Sequence, residues 1–161
     1  MPTSVIEIPE KFNALARAIQ AFAAEVMAAA PVTSGGRAVD YPTFEKAIGE
    51  SCGKLECAVQ GDVLHTLDVD AEQVMISGEL HRRVGRYPAT YYTMAGPVEV
   101  ERSLFRAVGE RNGPTVDPIS LRAGVVGSGW LPRTAQAMAH ALQQGTSREA
   151  EQSAIQTGRL V

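Results

Sequence analysis

The chain has 161 residues, which is the length of about one domain. Its hydrophobic share of 45% and its charged share of 20% are those of an ordinary globular protein, so the default expectation is a folded chain rather than a disordered one. No stretch reaches the roughly 18 apolar residues of a membrane-spanning helix, and residues 1–11 carry acids where a secretory signal carries basic residues. We therefore expect a cytoplasmic protein that contacts no membrane.

Charge is distributed unevenly along the chain. Residues 1–72 carry five basic and eleven acidic side chains, net −6, whereas residues 73–161 carry ten basic and seven acidic, net +3. A basic half is compatible with contact to a phosphate backbone, and a solvated surface of mixed sign explains it equally well. The two cysteines, Cys52 and Cys57, would lie about 140° apart on a helix, so we expect free thiols and a reducing compartment.

Two helical segments are predicted for the N-terminal half. In residues 1–36, apolar side chains recur at steps of three and four from about 9 to 30, which predicts an amphipathic helix that Pro31 and a linker terminate. In residues 37–72, a second helical pattern runs from about 42 to 67. Three glycines weaken this pattern and could divide the helix in two: Gly49, Gly53 and Gly61.

Residues 73–114 change to a two-residue periodicity, which is typical of strands. Strands are predicted at 74–76, 80–87 and 90–94, and the clearest alternation follows at 98–106. This last alternation places Val98, Val100, Arg102 and Leu104 on one face and Glu99, Glu101, Ser103 and Phe105 on the other. The sequence therefore predicts a small antiparallel β-meander of three or four strands.

Residues 115–161 are predicted to be helical again. A short element runs from Pro118 to Val126, and Pro132–Gln144 is a helix that Gly145 ends. A second helix from about 146 to 156 gives the pair the outline of a helix-turn-helix, but it holds a single basic residue, so a plain helical hairpin is preferred. The predicted fold class is α+β, with N-terminal helices, the meander and a C-terminal helical hairpin.

No set of catalytic side chains is complete in this sequence. Two-metal phosphoryl transfer needs at least three converging carboxylates, and the best pair, Asp68 and Asp70, lacks a third. The histidines, His65, His81 and His140, are isolated on three different elements. We therefore predict no catalytic residue, no metal site and no cofactor in this chain, and a small hydrolase is the least favoured function.

Nucleic-acid contact is the chemistry that remains. Arginines in and beside the meander are interleaved with tyrosines, and arginine beside aromatic rings can hold phosphates and stack on bases or sugars. The predicted DNA-binding residues are Arg82, Arg83, Arg86, Tyr91, Tyr92, Arg102, Arg106 and Arg133, with Tyr87 and Arg111 in the same cluster. A sheet surface of paired arginine and glutamate, with tyrosines that cap a small core, is an equally good interpretation.

Four blocks of this sequence resemble those of a known protein family, and chance does not explain the similarity of their order and spacing. They are Tyr92-Thr93 with Ala95-Gly96-Pro97-Val98, then Val100-Glu101-Arg102-Ser103-Leu104-Phe105-Arg106, then Leu121-Arg122-Ala123-Gly124-Val125-Val126, and finally Trp130-Leu131-Pro132-Arg133 leading to Thr146-Ser147-Arg148-Glu149-Ala150-Glu151. With these blocks, the stretch from about residue 67 to 152 resembles the N-terminal region of ISKra-type insertion-sequence transposases.

The resemblance implies part of a mobile-element protein that cuts and rejoins DNA with three acidic residues and divalent metal ions. In the family those acids lie downstream of the matched region, so none is carried onto this chain. Its departure at about Ser153 is typical of a truncated or frame-shifted copy without the DDE catalytic domain, or of a sequence cut short before that domain. The expected function is binding of insertion-sequence ends, or assembly of a transposition complex, including a homo-oligomer. The alternative is a protein-interaction module that uses the apolar stripe of residues 10–30 and contacts no nucleic acid.

Overall fold

A computed structural model describes residues 7–31, 40–145, 148, 149 and 152 of the chain. The elements are α1 (Asn13–Ala29, after a 3-10 turn at Glu10–Phe12), α2 (Tyr41–Leu67), β1 (Gln73–Ile76), β2 (Glu79–Thr93), β3 (Gly96–Ala107), α3 (Pro118–Ala123) and α4 (Pro132–Gln144). The predicted α+β class is confirmed: two N-terminal helices precede a three-stranded antiparallel sheet, and short helices follow it. The predicted linker at residues 33–36 lies outside the described residues.

The helices α1 and α2 form an antiparallel hairpin. At one end, Asp62 of α2 accepts a hydrogen bond from the Leu15 N–H in the first turn of α1, at 2.8 Å. At the other end, Glu25 of α1 accepts from the Ser51 hydroxyl at 2.6 Å and pairs with Lys54 at 2.9 Å. The apolar stripe of α1 is half-buried between the two helices, and no residue of α1 is fully buried.

The helix α2 does not divide at its glycines and is continuous over 27 residues. Its N-terminus is capped by Asp40, whose carboxylate accepts from the Thr43 N–H at 3.3 Å. A Cβ at Gly61 would lie 3.3 Å from Cγ1 of Val98, so this glycine lies where α2 crosses β3. Packing against the sheet therefore outweighs the low helix propensity of glycine.

The sheet has the strand order β1–β2–β3 and is the predicted meander. The second and third predicted strands are a single strand, β2, which continues through Pro88. The Tyr92 N–H, on the same side of β2 as the Pro88 nitrogen, points away from β3 and donates to the carbonyl of Gly129. Pro88 therefore lies on an edge of β2, between the part that pairs with β1 and the part that contacts residue 129. The described chain supplies no neighbouring strand there, so the missing N–H of proline costs no hydrogen bond.

The main core cluster lies on one face of the sheet, which we call the helical face because α2 and α3 cover part of it, whereas Phe105 and Ala107 are buried on the opposite face. The core residues of the helical face are Leu64, Tyr91, Val98, Val100 and Ile119. The opposite face contacts the segment between α2 and β1, where Asp68 accepts hydrogen bonds from the backbone N–H and the hydroxyl of Ser103, both at 3.0 Å. The long β2–β3 ribbon is therefore held from both sides.

After β3 the chain returns across the helical face. Asp117 caps α3 by accepting from the Ile119 N–H at 2.9 Å, and Gly124, with φ of 66°, ends the helix. Trp130 then pairs beside Tyr92 at the edge of β2, and their rings stack with centroids 4.7 Å apart. The helix α4 is confirmed, whereas the predicted second helix of the C-terminal hairpin lies outside the described residues except for 148, 149 and 152.

Candidate nucleic-acid interface

A β-bulge at Val84 determines which side chains share the helical face. Strict alternation along β2 would place Arg82 and Tyr87 on opposite faces of the sheet. The register shift between Arg83 and Gly85 sets Arg82 directly opposite Arg106, Gly85 opposite Leu104, and Tyr87 opposite Arg102. We call these six residues, Arg82, Gly85, Tyr87, Arg102, Leu104 and Arg106, the basic patch. It occupies the part of the helical face that lies beyond the core residues Val98 and Val100.

Arg82 and Arg106 are two like charges placed directly across neighbouring strands. Among the described residues neither of them forms an ion pair with an acidic side chain. Arg106 donates from Nη1 to the carbonyl of Arg111 at 3.0 Å, a neutral acceptor. Like charges opposite each other destabilise a sheet, so this pair leaves positive potential at the surface that an anion would relieve.

Unsatisfied hydrogen-bond donors are also concentrated in the basic patch. Within the part of the chain that the structure describes, two buried side-chain nitrogens have no acceptor, Nε of Arg102 and Nε of Arg106. Buried polar atoms normally find a partner, so each exception calls for an explanation. Both exceptions belong to guanidinium groups of the same patch.

Tyr87 lies back along its own strand and covers Gly85. A Cβ built on Gly85 would be 2.9 Å from Cε2 and 2.9 Å from the hydroxyl of Tyr87, so only glycine permits this position of the ring. The side chain is nevertheless 48% exposed. The ring therefore lies against the sheet on one side and is open to solvent on the other.

Arg102 is held in place by a buried carboxylate. Oδ2 of Asp117 accepts hydrogen bonds from the Arg102 guanidinium at 2.7 Å, the Tyr91 hydroxyl at 2.7 Å and the Ser120 hydroxyl at 2.5 Å. The Asp117 side chain is only 7% exposed, whereas that of Arg102 is 31% exposed. Asp117 therefore orients a guanidinium whose far side reaches the surface.

The network also shifts the ionisation of its members. Burial opposes the charged form of Asp117, but hydrogen bonds from Ser120, Arg102 and Tyr91 outweigh it and lower the pKa of the carboxyl. Burial, together with the bond to Asp117, raises the pKa of Tyr91 to about 12. Asp117 is thus ionised and Tyr91 protonated at neutral pH. A polar cavity of about 260 Å³ adjoins the network, and its lining includes Tyr91, Arg102, Ser120 and residues 127–129.

The remaining predicted DNA-binding residues lie elsewhere. Arg83 and Arg86 are on the opposite face of the sheet, where they pair with Asp70 at 2.6 Å and Asp68 at 3.3 Å. Tyr91 is a core residue with 1% exposure, and Tyr92 stacks on Trp130. Arg133 is on α4, beside a shallow cavity of about 600 Å³. The structure therefore brings together Arg82, Arg102 and Arg106, and not the others.

Two residues of this site, Asp117 and Gly85, are not among those that the sequence predicts. Asp117 precedes Pro118, and an acidic residue followed by proline is a common helix start, so its capping role could have been recognised. Its contact with Arg102 could not, because it depends on how α3 crosses the sheet. Gly85 could not have been recognised from the sequence, because it matters only through the Tyr87 ring that lies over it in the folded chain.

The described residues contain no group of three or more His, Cys, Asp or Glu side chains that could hold a metal ion. Asp68 and Asp70, the best carboxylate pair of the sequence, are each paired with an arginine. Among the described helices, none combines the length and the apolar character needed to cross a bilayer. Comparisons of the chain with models of protein families, with curated proteins and with solved structures find no match.

Proposed function

We propose that this chain is a DNA-contacting region of an insertion-sequence transposase that acts in the cytoplasm and has no catalytic activity of its own. The observation that carries the proposal is the direct opposition of Arg82 and Arg106 on an open sheet face. A phosphate between the two guanidinium groups would remove their repulsion and accept hydrogen bonds from both. Arg102, whose charge is paired with Asp117, presents the rest of its guanidinium group on the same face as a further hydrogen-bond donor.

The position of the patch also favours an extended anionic partner over a small ion. Its cations lie at both ends of an open surface that includes the exposed Tyr87 ring and the side chain of Leu104. A backbone of repeated phosphates can contact both ends at once, and each contact releases counterions. DNA is the partner expected of a transposase, and the four sequence blocks support that origin.

Salt-dependent binding tests the proposal. We expect the protein to shift the anisotropy of a fluorescent duplex, and the double variant Arg82→Ala/Arg106→Ala to bind more weakly. The slope of log affinity against log salt should fall by about 0.9, because the variant loses the phosphate that the pair holds and each phosphate contact contributes about that much. Arg17→Ala, which removes one exposed arginine from α1, is the control for a general loss of positive charge and should leave binding within about twofold. Unchanged binding in the double variant would contradict the role of the patch.

A protein-interaction module remains the second candidate, and one observation favours it. Met75 and Leu80 are opposite each other in the β1–β2 pair, and Val108 donates its N–H to the carbonyl of Leu80 at 2.9 Å. These three apolar side chains are 64%, 40% and 55% exposed, beside the basic patch. A stable oligomer in sedimentation velocity that Leu80→Asp dissociates, together with no affinity for DNA, would favour this function.

A further inference from the structure

The exposed ring of Tyr87 adds a feature that duplex binding does not use. Duplex DNA presents phosphates on its outside and keeps the faces of its bases stacked inside. An unpaired strand exposes those faces, and proteins that bind it combine a basic groove with aromatic rings on which bases stack. Whether the patch holds such a ring between its cations therefore decides which form of DNA it suits.

The ring of Tyr87 is placed and supported as a stacking platform requires. Gly85 has no Cβ and so leaves room for the ring to lie against the backbone of β2. The tyrosine is 48% exposed on the side away from the sheet. One side of the ring is therefore backed by the sheet, and the other side is open to a base.

Cations flank the ring on two sides. Arg102 is directly opposite Tyr87 on β3, and the Arg82–Arg106 pair lies beyond Gly85 and Leu104 along the same face. From Arg102 to Arg106 the strand advances four residues, about 13 Å. A nucleotide whose base stacks on the ring has phosphates on both sides, and this order of cation, ring and cation matches it.

We propose that the basic patch binds single-stranded DNA, with one base stacked on Tyr87 and the flanking phosphates held by Arg102 and by the Arg82–Arg106 pair. This inference rests on the proposed function and names its substrate class. The competing interpretation is that the ring only shields the backbone at Gly85, as aromatic residues do beside glycines in sheets. Shielding requires an apolar cover but no π-face, so the two roles are separable by substitution.

The experiment compares Tyr87→Leu, which keeps an apolar cover over Gly85, with Tyr87→Phe, which keeps the ring. Fluorescence anisotropy with a single strand of about twelve nucleotides and with the matching duplex gives both affinities. We expect wild type and Tyr87→Phe to bind the single strand more tightly than the duplex. Tyr87→Leu should lose about tenfold in affinity for the single strand, because one stacked base contributes on the order of that factor.

Matched controls keep a loss of folding apart from a loss of stacking. Tyr41→Leu replaces a tyrosine that is 55% exposed on α2 and should change neither affinity. Each variant is first compared with wild type by thermal unfolding, and Tyr87→Leu should unfold at a similar temperature. If Tyr87→Leu binds the single strand as wild type does while Arg82→Ala/Arg106→Ala binds weakly, stacking is overturned and DNA contact stands. If neither form of DNA binds, the proposed function fails as well.

Discussion

At the scale of residues, one carboxylate joins a strand, a helix and the basic patch. Asp117 accepts hydrogen bonds from Tyr91 on β2, Arg102 on β3 and Ser120 on α3. Removal of a buried partner leaves the other charge without compensation, which is far more destabilising than the loss of an exposed ion pair. The two ion pairs Arg102–Asp117 and Arg83–Asp70 allow this difference to be measured in one chain.

We expect Asp117→Ala to lower the free energy of unfolding by about 3 kcal/mol, because Arg102 and Tyr91 lose their acceptor and α3 loses its cap. Asp70→Ala, which removes a carboxylate that is 78% exposed, should change it by less than about 1 kcal/mol. Urea denaturation followed by circular dichroism measures both values. Equal losses in the two variants would show that burial of Asp117 contributes nothing.

The pKa of Tyr91 predicts a loss of stability in alkali. Its pKa is about 12 in the folded chain, against an ordinary value of 10.0, so between these pH values the unfolded chain releases a proton that the folded chain retains. The free energy of unfolding should be unaffected by Tyr91 below about pH 10 and should fall as pH rises towards 12, by up to about 1.4 kcal/mol per pH unit.

Denaturation at several pH values tests this dependence. Tyr91→Phe should show a shallower fall above pH 10 than wild type, because it has no hydroxyl to ionise. Tyr41→Phe, at an exposed tyrosine, should keep the slope of wild type. The same slope in Tyr91→Phe and wild type would assign the alkaline loss to other groups.

Tyrosines of similar sequence context acquire different roles in this structure. Tyr87, Tyr91 and Tyr92 all lie in strand-forming sequence that is interleaved with arginines, and the sequence predicts DNA contact for Tyr91 and Tyr92. Tyr91 instead points to α3 and is buried, whereas Tyr92 stacks on Trp130 and Tyr87 stays exposed. Their roles depend on the path of the chain after β3, which places Asp117 beside Tyr91 and Trp130 beside Tyr92. That path leaves no signal in the two-residue periodicity of β2.

At the scale of elements, the turn between Val126 and Trp130 closes the edge of β2. Gly127 has φ of 59° with open space at its Cβ position, whereas Gly129 has φ of 143° and a Cβ there would lie 2.6 Å from the carbonyl oxygen of Thr90. The conformation of Gly127 is a left-handed helical one that other residues adopt with moderate strain. The conformation of Gly129 is restricted to glycine, and a Cβ there would also clash with the backbone of Thr90, which cannot move freely.

We expect Gly129→Ala to lower the free energy of unfolding by at least about 2 kcal/mol, and Gly127→Ala by about 1 kcal/mol. The two variants add the same methyl group two residues apart, so each is the control for the other. Thermal unfolding with fluorescence of Trp130, the single tryptophan, follows the turn directly. A larger effect at Gly127 than at Gly129 would mean that Gly129 does not approach Thr90 as described.

The sequence predicted the elements well where a local pattern decides them. The helices α1, α2 and α4 carry a regular apolar spacing with proline near an end, and their observed bounds differ from the predicted ones by only a few residues. The sequence predicts a break between two strands near Pro88, but β2 is continuous there. A proline interrupts a strand only where its missing N–H would have donated a hydrogen bond to a neighbouring strand. That condition depends on which segment lies beside β2, and so on tertiary structure.

At the scale of the whole molecule, a small core connects the helical hairpin to the sheet. Leu64 of α2, Tyr91 of β2, Val98 and Val100 of β3, and Ile119 of α3 form a single cluster. Four elements thus depend on one set of contacts. Because the basic patch lies on the same sheet face, its geometry depends on this core although none of its side chains belongs to the cluster.

We expect Leu64→Ala to lower the free energy of unfolding by about 3 kcal/mol, because the side chain is 2% exposed and its loss leaves a cavity where α2, β2, β3 and α3 meet. Val63→Ala, at a neighbour that is 42% exposed, should cost less than about 1 kcal/mol. Helix content and Trp130 fluorescence should change together in both variants, since one core unfolds in one cooperative transition. Two separate transitions would instead mean that the helical hairpin and the sheet fold independently, and that the patch needs only the sheet.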